Sequence, residues 1–267
     1  IDDIVWCGSV DSVRDMADQA GVPETMPMKH LDDFIKKARK SGRSIHFLPP
    51  YRHDTMIQIM DLLGTHPSKQ KEAASLELIM AVVKMRSAKT PLEIEELERA
   101  CAIGYKMHTT AMKLIKPGVT EKYIGGQING IAQSYGAQVS FGTIFSQHGE
   151  IMHGAPSMAQ LEAGRLVLCD CGAETIEHYC SDNTRTMPVN GKFSQRQLAI
   201  YSIVEDCHDL VLKIAKPGVK YFDVHMAVCR LMTERLKVLG LMKGDIDEAV
   251  AAGAHALFLP HGLGHMM

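Results

Sequence analysis

Short apolar runs alternate with amphipathic segments along the first 80 residues. Two of the apolar runs, "DIVWCG" and "SIHFLPP", predict strands. The other segments have helical spacing and end at a glycine, as helices commonly do: "SVRDMADQAG", "MKHLDDFIKKARKSG" and "RHDTMIQIMDLLG". Strands that alternate with helices predict part of an α/β domain over residues 1–80.

The pattern changes at "KMRSAKTP" (residues 84–91), and a second domain is predicted over residues 81–267. Thr90 suits a helix N-cap, Pro91 suits the first helical position, and acidic residues fill the first turn. Apolar residues then recur at helical spacing as far as a Lys-Pro-Gly turn, after which a second helix is predicted over residues 120–136.

The rest of the chain predicts a mixed α+β domain. Three strand-like stretches come next: "QVSFGTIFS", "RLVLCDCGAE" and "HYCSDNTRTMPV". A long helix follows over residues 195–215, and it ends in a second Lys-Pro-Gly turn.

The two Lys-Pro-Gly turns begin at Lys116 and Lys216, 100 residues apart, and each joins two predicted helices. The simpler interpretation is that this tripeptide is a common helix terminator. Because candidate ligands follow each helix pair, the matched order favours an internal duplication. Two similar halves facing each other would form a central cleft.

Composition and charge limit the classes of protein to which this chain can belong. The chain has 267 residues, of which 46% are hydrophobic and 22% charged, as in globular proteins with a sizeable core. A net charge of -2 offers no basic surface for nucleic acid, and no apolar run approaches the ~20 residues of a membrane helix. Seven cysteines without paired spacing indicate reduced thiols in a cytoplasmic protein.

Two aspartates carry the first chemical signal. If the strands around "LVLCDCGAETIEHYCSDNTRT" form a hairpin centred on Ile176, Asp170 lies directly opposite Asp182. Facing carboxylates repel each other, and a divalent cation removes that conflict. The alternative is that one aspartate caps a turn or pairs with Arg185. The buried hairpin favours a metal site.

Histidines supply the second signal. His261 and His265 are four residues apart in "FLPHGLGHMM", and neutral imidazole is a good ligand beside carboxylates. The helical zinc motif has a glutamate directly after its first histidine, where this chain has Gly262, so an extended segment is predicted. A purely structural histidine pair is the alternative. His153, in a loop rich in glycine and proline, is a candidate for substrate binding or an ordinary exposed residue.

Three segments, "RLVLCDCGAE", "SDNTRTMPVNGKFS" and "LFLPHGLGH", resemble the aminopeptidase P and prolidase group of pita-bread metallopeptidases. The resemblance runs from about residue 85 to the end. It implies a pita-bread catalytic domain with an internal pseudo-twofold repeat. Residues 1–80 resemble part of the N-terminal domain of that family.

The resemblance also implies roles and a reaction. Asp170, Asp182 and His265 match ligands of a dinuclear site that usually holds Mn²⁺, and sometimes Co²⁺ or Zn²⁺. His261 matches a histidine that contacts substrate, and His153 matches one across the cleft. The implied reaction is hydrolysis of Xaa-Pro bonds by metal-activated hydroxide, with proline-containing peptides as substrates and a homodimer as the assembly.

This chain departs from the family pattern in two ways. The segment between Asp170 and Asp182 is one residue longer than usual, which should alter only the turn. Two glutamate ligands and a further histidine are expected after Met267, the last residue given. The sequence as given is therefore expected to be an inactive part of a longer enzyme.

Several alternatives stay open at this point. A non-catalytic pita-bread binding module is disfavoured because the candidate ligands are retained. The same aspartates argue against a metal-free hydrolase of the creatinase type, and the N-terminal segment argues against methionine aminopeptidase. The sequence does not separate aminopeptidase from dipeptidase action.

Overall fold

The structure, a computed structural model, describes residues 2–267, with side chains described from Ile4 onward. The chain divides into two compact units between Ala88 and Lys89. This division falls within residues 84–91, where the sequence pattern changes. A boundary at residue 80 would instead cut through a helix that spans Leu76–Ser87.

All of the regular secondary structure in the described part of the first unit is helical. A single 3-10 turn, Met28–His30, precedes the third helix. The helices are α1 (Asp2–Cys7), α2 (Val13–Gln19), α3 (Leu31–Lys40), α4 (His53–Leu63), α5 (Pro67–Ala73) and α6 (Leu76–Ser87). The three helices predicted from the amphipathic segments are confirmed as α2, α3 and α4.

The two strands predicted in the first unit are wrong. "DIVWCG" lies largely in α1, since a short apolar run fits a helix as well as a strand. "SIHFLPP" is not helical, but it finds no strand partner within the described part of this unit. A strand is stable only when its backbone groups pair with a neighbour, and here the Phe47 carbonyl accepts from the Ser75 N–H instead.

The second unit combines long helices with two small sheets. β2, β3 and β5 form an antiparallel three-stranded sheet with β3 at its centre, and β1 pairs with β4. Its elements are α7 (Pro91–Leu114), α8 (Glu121–Ser134), β1 (Gln138–Val139), β2 (Ile144–Ser146), β3 (Leu166–Cys171), β4 (Ala173–Glu174), β5 (Asn183–Pro188), α9 (Gln195–Ile214), α10 (Tyr221–Val238), α11 (Ile246–Ala251) and the 3-10 helix Ala254–Leu257.

The predicted start of α7 is confirmed in detail. The Thr90 hydroxyl accepts from the Glu93 N–H, and the Glu93 carboxylate accepts from the Thr90 N–H at 2.7 Å. Pro91 occupies the first helical position, where its missing N–H costs nothing. This reciprocal cap fixes the first residues of the second unit.

The duplicated helix pairs are also confirmed. After α7 and α9 the chain makes the same turn, with Gly118 at φ 85° and Gly218 at φ 88°. These values are strained for any residue with a Cβ, which is why both turns use glycine. α7 packs against α8, and α9 packs against α10.

Each helix pair has its own hydrophobic core. The first core joins α7 and α8 to the sheet, and Met107, Ile124 and Phe145 are fully buried in it. The second core lies between α9 and α10, where Leu259 and Leu263 also pack. The segment that carries His261 and His265 is therefore anchored on the second helix pair by Leu259 and Leu263.

Gly172, between β3 and β4, allows an unusually close approach of two chain segments. A Cβ at this position would overlap the backbone carbonyl of Ser181. The Ser140 hydroxyl donates to the same carbonyl at 2.8 Å, and the Ser181 hydroxyl accepts from the Ala173 N–H at 3.0 Å. This contact holds Asp182, the next residue, beside the end of β3.

We expect Gly172→Ala to destabilise the second unit by about 3 kcal/mol or more, because a backbone atom has to move to admit the methyl group. Gly126→Ala is the matched control: Gly126 is exposed within α8 with nothing within 4 Å, so alanine should stabilise by up to about 1 kcal/mol. Urea unfolding followed by circular dichroism measures both. Equal effects of the two substitutions would contradict the proposed close approach.

Candidate metal centre

Asp170 lies on the sheet face opposite to its neighbours in β3. Cys169 and Cys171 are fully buried in the first core, whereas Asp170 is only partly buried. Strand alternation therefore turns the carboxylate away from the thiols. Its direct partner across the strand pair is Thr184, whose hydroxyl hydrogen-bonds the Asp170 carboxyl.

The predicted direct pairing of Asp170 with Asp182 is wrong by two residues. Because Asp170 pairs with Thr184, Asp182 occupies the diagonal position on the same face of the hairpin. The pairing of Cys171 with Asn183 places the centre of the turn at Glu177, one residue later than the predicted centre at Ile176. A shift of two residues keeps the face, so the two carboxyl groups still share one site.

The electrostatics of Asp170 fit a cation site. Burial raises the pKa of Asp170 above its usual range, and the negative charge of Asp182 raises it further. The Thr184 hydrogen bond opposes this shift without cancelling it. Its Oδ1 atom is buried and has no hydrogen-bond partner among the described residues. A carboxylate oxygen in this state lacks the positive partner that a buried charge requires.

His265 comes from the second half of the unit and reaches the hairpin. Its Nε2 atom lies 3.1 Å from Asp182 Oδ2, and its Nδ1 atom lies 3.2 Å from the Met266 carbonyl oxygen. The hydrogen bond to Met266, with a smaller contribution from Asp182, raises the pKa of His265. If Nδ1 donates to the carbonyl, neutral His265 turns an unprotonated Nε2 toward a carboxylate, so a proton or a metal ion has to lie between them.

His261 lies in the same segment but does not contact either aspartate within the described structure. Its Nδ1–H donates to the Gly262 carbonyl at 2.7 Å, and its ring is exposed. Residues 258–267 form neither helix nor strand, which excludes the helical zinc motif, as predicted. The strand-like run before His261 is instead partly the 3-10 helix Ala254–Leu257.

His153 is exposed in the loop between β2 and β3. The loop folds back onto β2, because a Cβ at Gly154 would lie 3.2 Å from the Ser146 Cβ. β2 pairs with β3, and Ile144 lies opposite Asp170. The loop that carries His153 therefore begins on the strand beside the aspartates.

Glu121 anchors this loop, a role that the sequence did not reveal. Its buried carboxylate accepts from the Gln147 N–H at 2.8 Å, the Ser157 N–H at 3.1 Å and the Ser157 hydroxyl at 2.6 Å. Burial alone raises its pKa, but these hydrogen bonds together lower it. In the sequence, Glu121 looked like an ordinary acidic residue in the first turn of a helix.

His108 was also missed. It is buried on α7, and its Nε2–H donates to the carbonyl of Asn183, the first residue of β5, at 2.9 Å. Its Nε2 also lies 3.5 Å from Cys171 Sγ on the underside of β3. A histidine on the apolar face of a predicted helix was the available signal. The contact fixes the strand directly after Asp182.

Arg185 does not neutralise the aspartates. It donates to the Thr184 carbonyl at 2.7 Å and, in the part of the chain that the structure describes, forms no ion pair with Asp170 or Asp182. The donor set that remains is two carboxylates and one imidazole. Carboxylate oxygens and imidazole nitrogens suit divalent ions such as Mn²⁺ and Zn²⁺.

The repulsion between Asp170 and Asp182 predicts that replacing Asp170 has opposite effects on stability in metal-free and in metal-loaded protein. In chelator-treated protein at neutral pH, Asp170→Asn should raise stability by on the order of 1 kcal/mol, because it removes a buried charge beside Asp182. The folded-state pKa of Asp170 is raised, so its ionisation destabilises the fold at neutral pH. The gain should fade as the pH falls from the raised folded-state pKa of Asp170 towards the ordinary value of 3.8, and it should be absent below 3.8. With added Mn²⁺ the same substitution should destabilise.

Urea unfolding at several pH values, with and without metal, checks the inversion. Asp209→Asn, on the exposed side of α9, is the matched control and should change little. A loss of stability for Asp170→Asn in metal-free protein at pH 7 would count against the charge conflict.

Within residues 2–267, no helix is long and apolar enough to cross a membrane. The absence agrees with the apolar runs in the sequence, which are all short.

The profile of metallopeptidase family M24 matches residues 95–267, which is most of the second unit. The chain belongs to this family. The fold and the grouped aspartates and histidine had pointed to the same class. A metallopeptidase family is by its description one that uses metal ions.

Two curated relatives indicate which members of the family the chain is similar to. The chain is 37% identical over 207 residues to the Xaa-Pro aminopeptidase of Escherichia coli strain K12, which covers 76% of this chain and 47% of that protein. It is 29% identical over 265 residues to a probable Xaa-Pro aminopeptidase of Chaetomium globosum, with 98% and 43% covered. The chain thus spans about half the length of these curated relatives.

Solved structures agree with this assignment. A substrate complex of an Escherichia coli aminopeptidase P variant superposes with a TM-score of 0.80 and 29% identity, over 99% of this chain and 62% of that one. Pseudomonas aeruginosa aminopeptidase PepP gives 0.82 and 26%, over 99% and 61%. The predicted pita-bread fold class and the resemblance to the aminopeptidase P group are therefore confirmed.

Proposed function

We propose that this chain forms part of an Xaa-Pro aminopeptidase, which hydrolyses the bond between an N-terminal residue and a following proline. The observation that carries the proposal is the contact between His265 and Asp182 at 3.1 Å, together with a buried Asp170 oxygen on the same face that has no hydrogen-bond partner among the described residues. The 37% identity to the Escherichia coli Xaa-Pro aminopeptidase supports the choice of substrate.

Asp170, Asp182 and His265 would hold the metal. We propose two divalent ions, with Mn²⁺ preferred over Co²⁺ or Zn²⁺, because two of these three side chains are carboxylates. Bound divalent ions polarise a carbonyl oxygen and lower the pKa of water. The buried Asp170 oxygen supports this role, since it needs a cation to offset its desolvation.

His261 and His153 would act on the substrate. The Nδ1–H of His261 is committed to the Gly262 carbonyl, which leaves Nε2 available to hydrogen-bond a peptide oxygen or amide. His153 would approach from the opposite side, on the loop that Glu121 holds against α8. Both imidazoles are exposed, so a peptide has access to them.

Aminopeptidase action is proposed over dipeptidase action because the relatives described above carry that name. We further propose a homodimer in the cytoplasm. The compartment is supported by the seven cysteines, all of which are free thiols.

The test uses the full-length protein, treated with chelator and reloaded with Mn²⁺. Asp182→Ala should lower hydrolysis of an Xaa-Pro-Yaa peptide at least about a hundredfold, because even residues behind metal ligands contribute about 10- to 100-fold. It should also lower the bound manganese measured by mass spectrometry. Asp209→Ala serves as the control variant and should retain both.

Three substrates separate the possible outcomes. Cleavage of Xaa-Pro-Yaa but not of Xaa-Ala-Yaa supports proline specificity, and cleavage of the Xaa-Pro dipeptide alone points to a dipeptidase. If the reloaded protein binds manganese but cleaves none of them, the proposal is wrong. A protein that binds no metal would favour the non-catalytic binding module.

A further inference from the structure

A second group of potential ligands lies in the other half of the unit, on α10 and the 3-10 helix Ala254–Leu257. His225 and Cys229 are one turn apart on α10, and His255 comes from the 3-10 helix. One ligand atom from each residue lies within 4.8 Å of the other two. Cys229 directly follows Val228 of the second core, and none of the three residues is among the proposed catalytic ligands.

The spacing between the first two residues suits a metal. His225 Nε2 lies 3.4 Å from Cys229 Sγ. In a tetrahedral zinc site, bonds of about 2.3 Å to sulfur and about 2.0 Å to nitrogen place these two ligand atoms roughly 3.5 Å apart. A spacing of four residues turns both side chains to one face of the helix.

His255 argues against a simple hydrogen-bonded pair. A bond between the Cys229 thiol and the His225 ring would satisfy those two groups. Such a bond would not satisfy His255 Nδ1, which is buried and has no hydrogen-bond partner within the described residues. Its ring lies edge-on to that of His225, with centroids 6.3 Å apart. A buried nitrogen without a partner is costly, and a metal ion would satisfy it.

We propose that His225, Cys229 and His255 bind a zinc ion that joins α10 to the segment carrying the catalytic histidines. A thiolate with two imidazoles is a donor set that selects Zn²⁺ over Mn²⁺. Cys229 is fully buried, whereas both histidines are partly exposed, so solvent can supply a fourth ligand.

The position of this ion gives it a structural role. His255 precedes His261 by six residues and His265 by ten. Between them Leu259 and Leu263 pack on the core of α9 and α10. A metal bond from α10 to His255 would fix the start of this segment, and the leucines would hold the rest. The ion would position His265 without touching a substrate.

Cobalt is the probe for the site, titrated into the full chain after chelator treatment. A sulfur-to-cobalt charge-transfer band in the near ultraviolet requires a thiolate ligand, which Asp170, Asp182 and His265 cannot supply. The band should be present in the unchanged protein and absent in Cys229→Ser. His225→Ala and His255→Ala should each weaken cobalt binding by about 10-fold or more.

Control variants assign the band to this site. Cys171→Ser tests the thiols beneath Asp170, and His208→Ala tests an exposed histidine on α9; both should leave the band unchanged. Asp182→Ala should also retain the charge-transfer band. The zinc proposal and the peptidase proposal can therefore be rejected independently of each other. Added Zn²⁺ should raise the melting temperature of Asp182→Ala, and the further substitution His255→Ala in that variant should abolish the increase.

The proposal is overturned if the unchanged protein gives no band, or if the band persists in Cys229→Ser. If Cys229→Ser does not fold, His255→Ala decides the question, because His255 is partly exposed and its loss should leave the helix core intact. Cobalt affinity equal to that of the unchanged protein would then contradict a ligand role for His255.

Discussion

The site depends on one unfavourable contact, two carboxylates held on the same face of an antiparallel strand pair. The Thr184 hydrogen bond offsets only part of the burial and repulsion that raise the pKa of Asp170. The fold enforces the proximity of the two carboxylates by bringing the Ser181 backbone against Gly172. His108 pins the other side of the same strand through the Asn183 carbonyl. Packing around the hairpin therefore maintains a charge arrangement that the hairpin alone would avoid.

The internal repeat explains how a third group reaches this pair. The helix, turn and helix of each half are alike, and each half brings different chemistry. The first half supplies Asp170 on β3 and Asp182 directly before β5, and the second supplies histidines on an irregular segment. The second core fixes that segment through Leu259 and Leu263. His265 can then approach Asp182, although 83 residues separate them.

Sequence reasoning worked best where a feature is local. The cap of α7, the glycine turns and the inward and outward alternation along β3 were all predictable, because each depends on a few adjacent residues. The predicted register of β3 with β5 was wrong by two residues, because the position of the turn depends on how the loop between the strands packs. The role of Glu121 was invisible, because it is defined by a loop about 30 residues away.

Strand alternation also places the carboxylate and the thiols of β3 on opposite faces of the sheet. In β3 the thiols of Cys169 and Cys171 face the core, whereas the Asp170 carboxylate lies on the other face. On that face His265 contacts Asp182. The thiol that does sit beside two imidazoles is Cys229, on the second helix pair. The proposed manganese ligands and the proposed zinc ligands therefore come from different elements of the unit, and carboxylates and thiolates suit these two ions respectively.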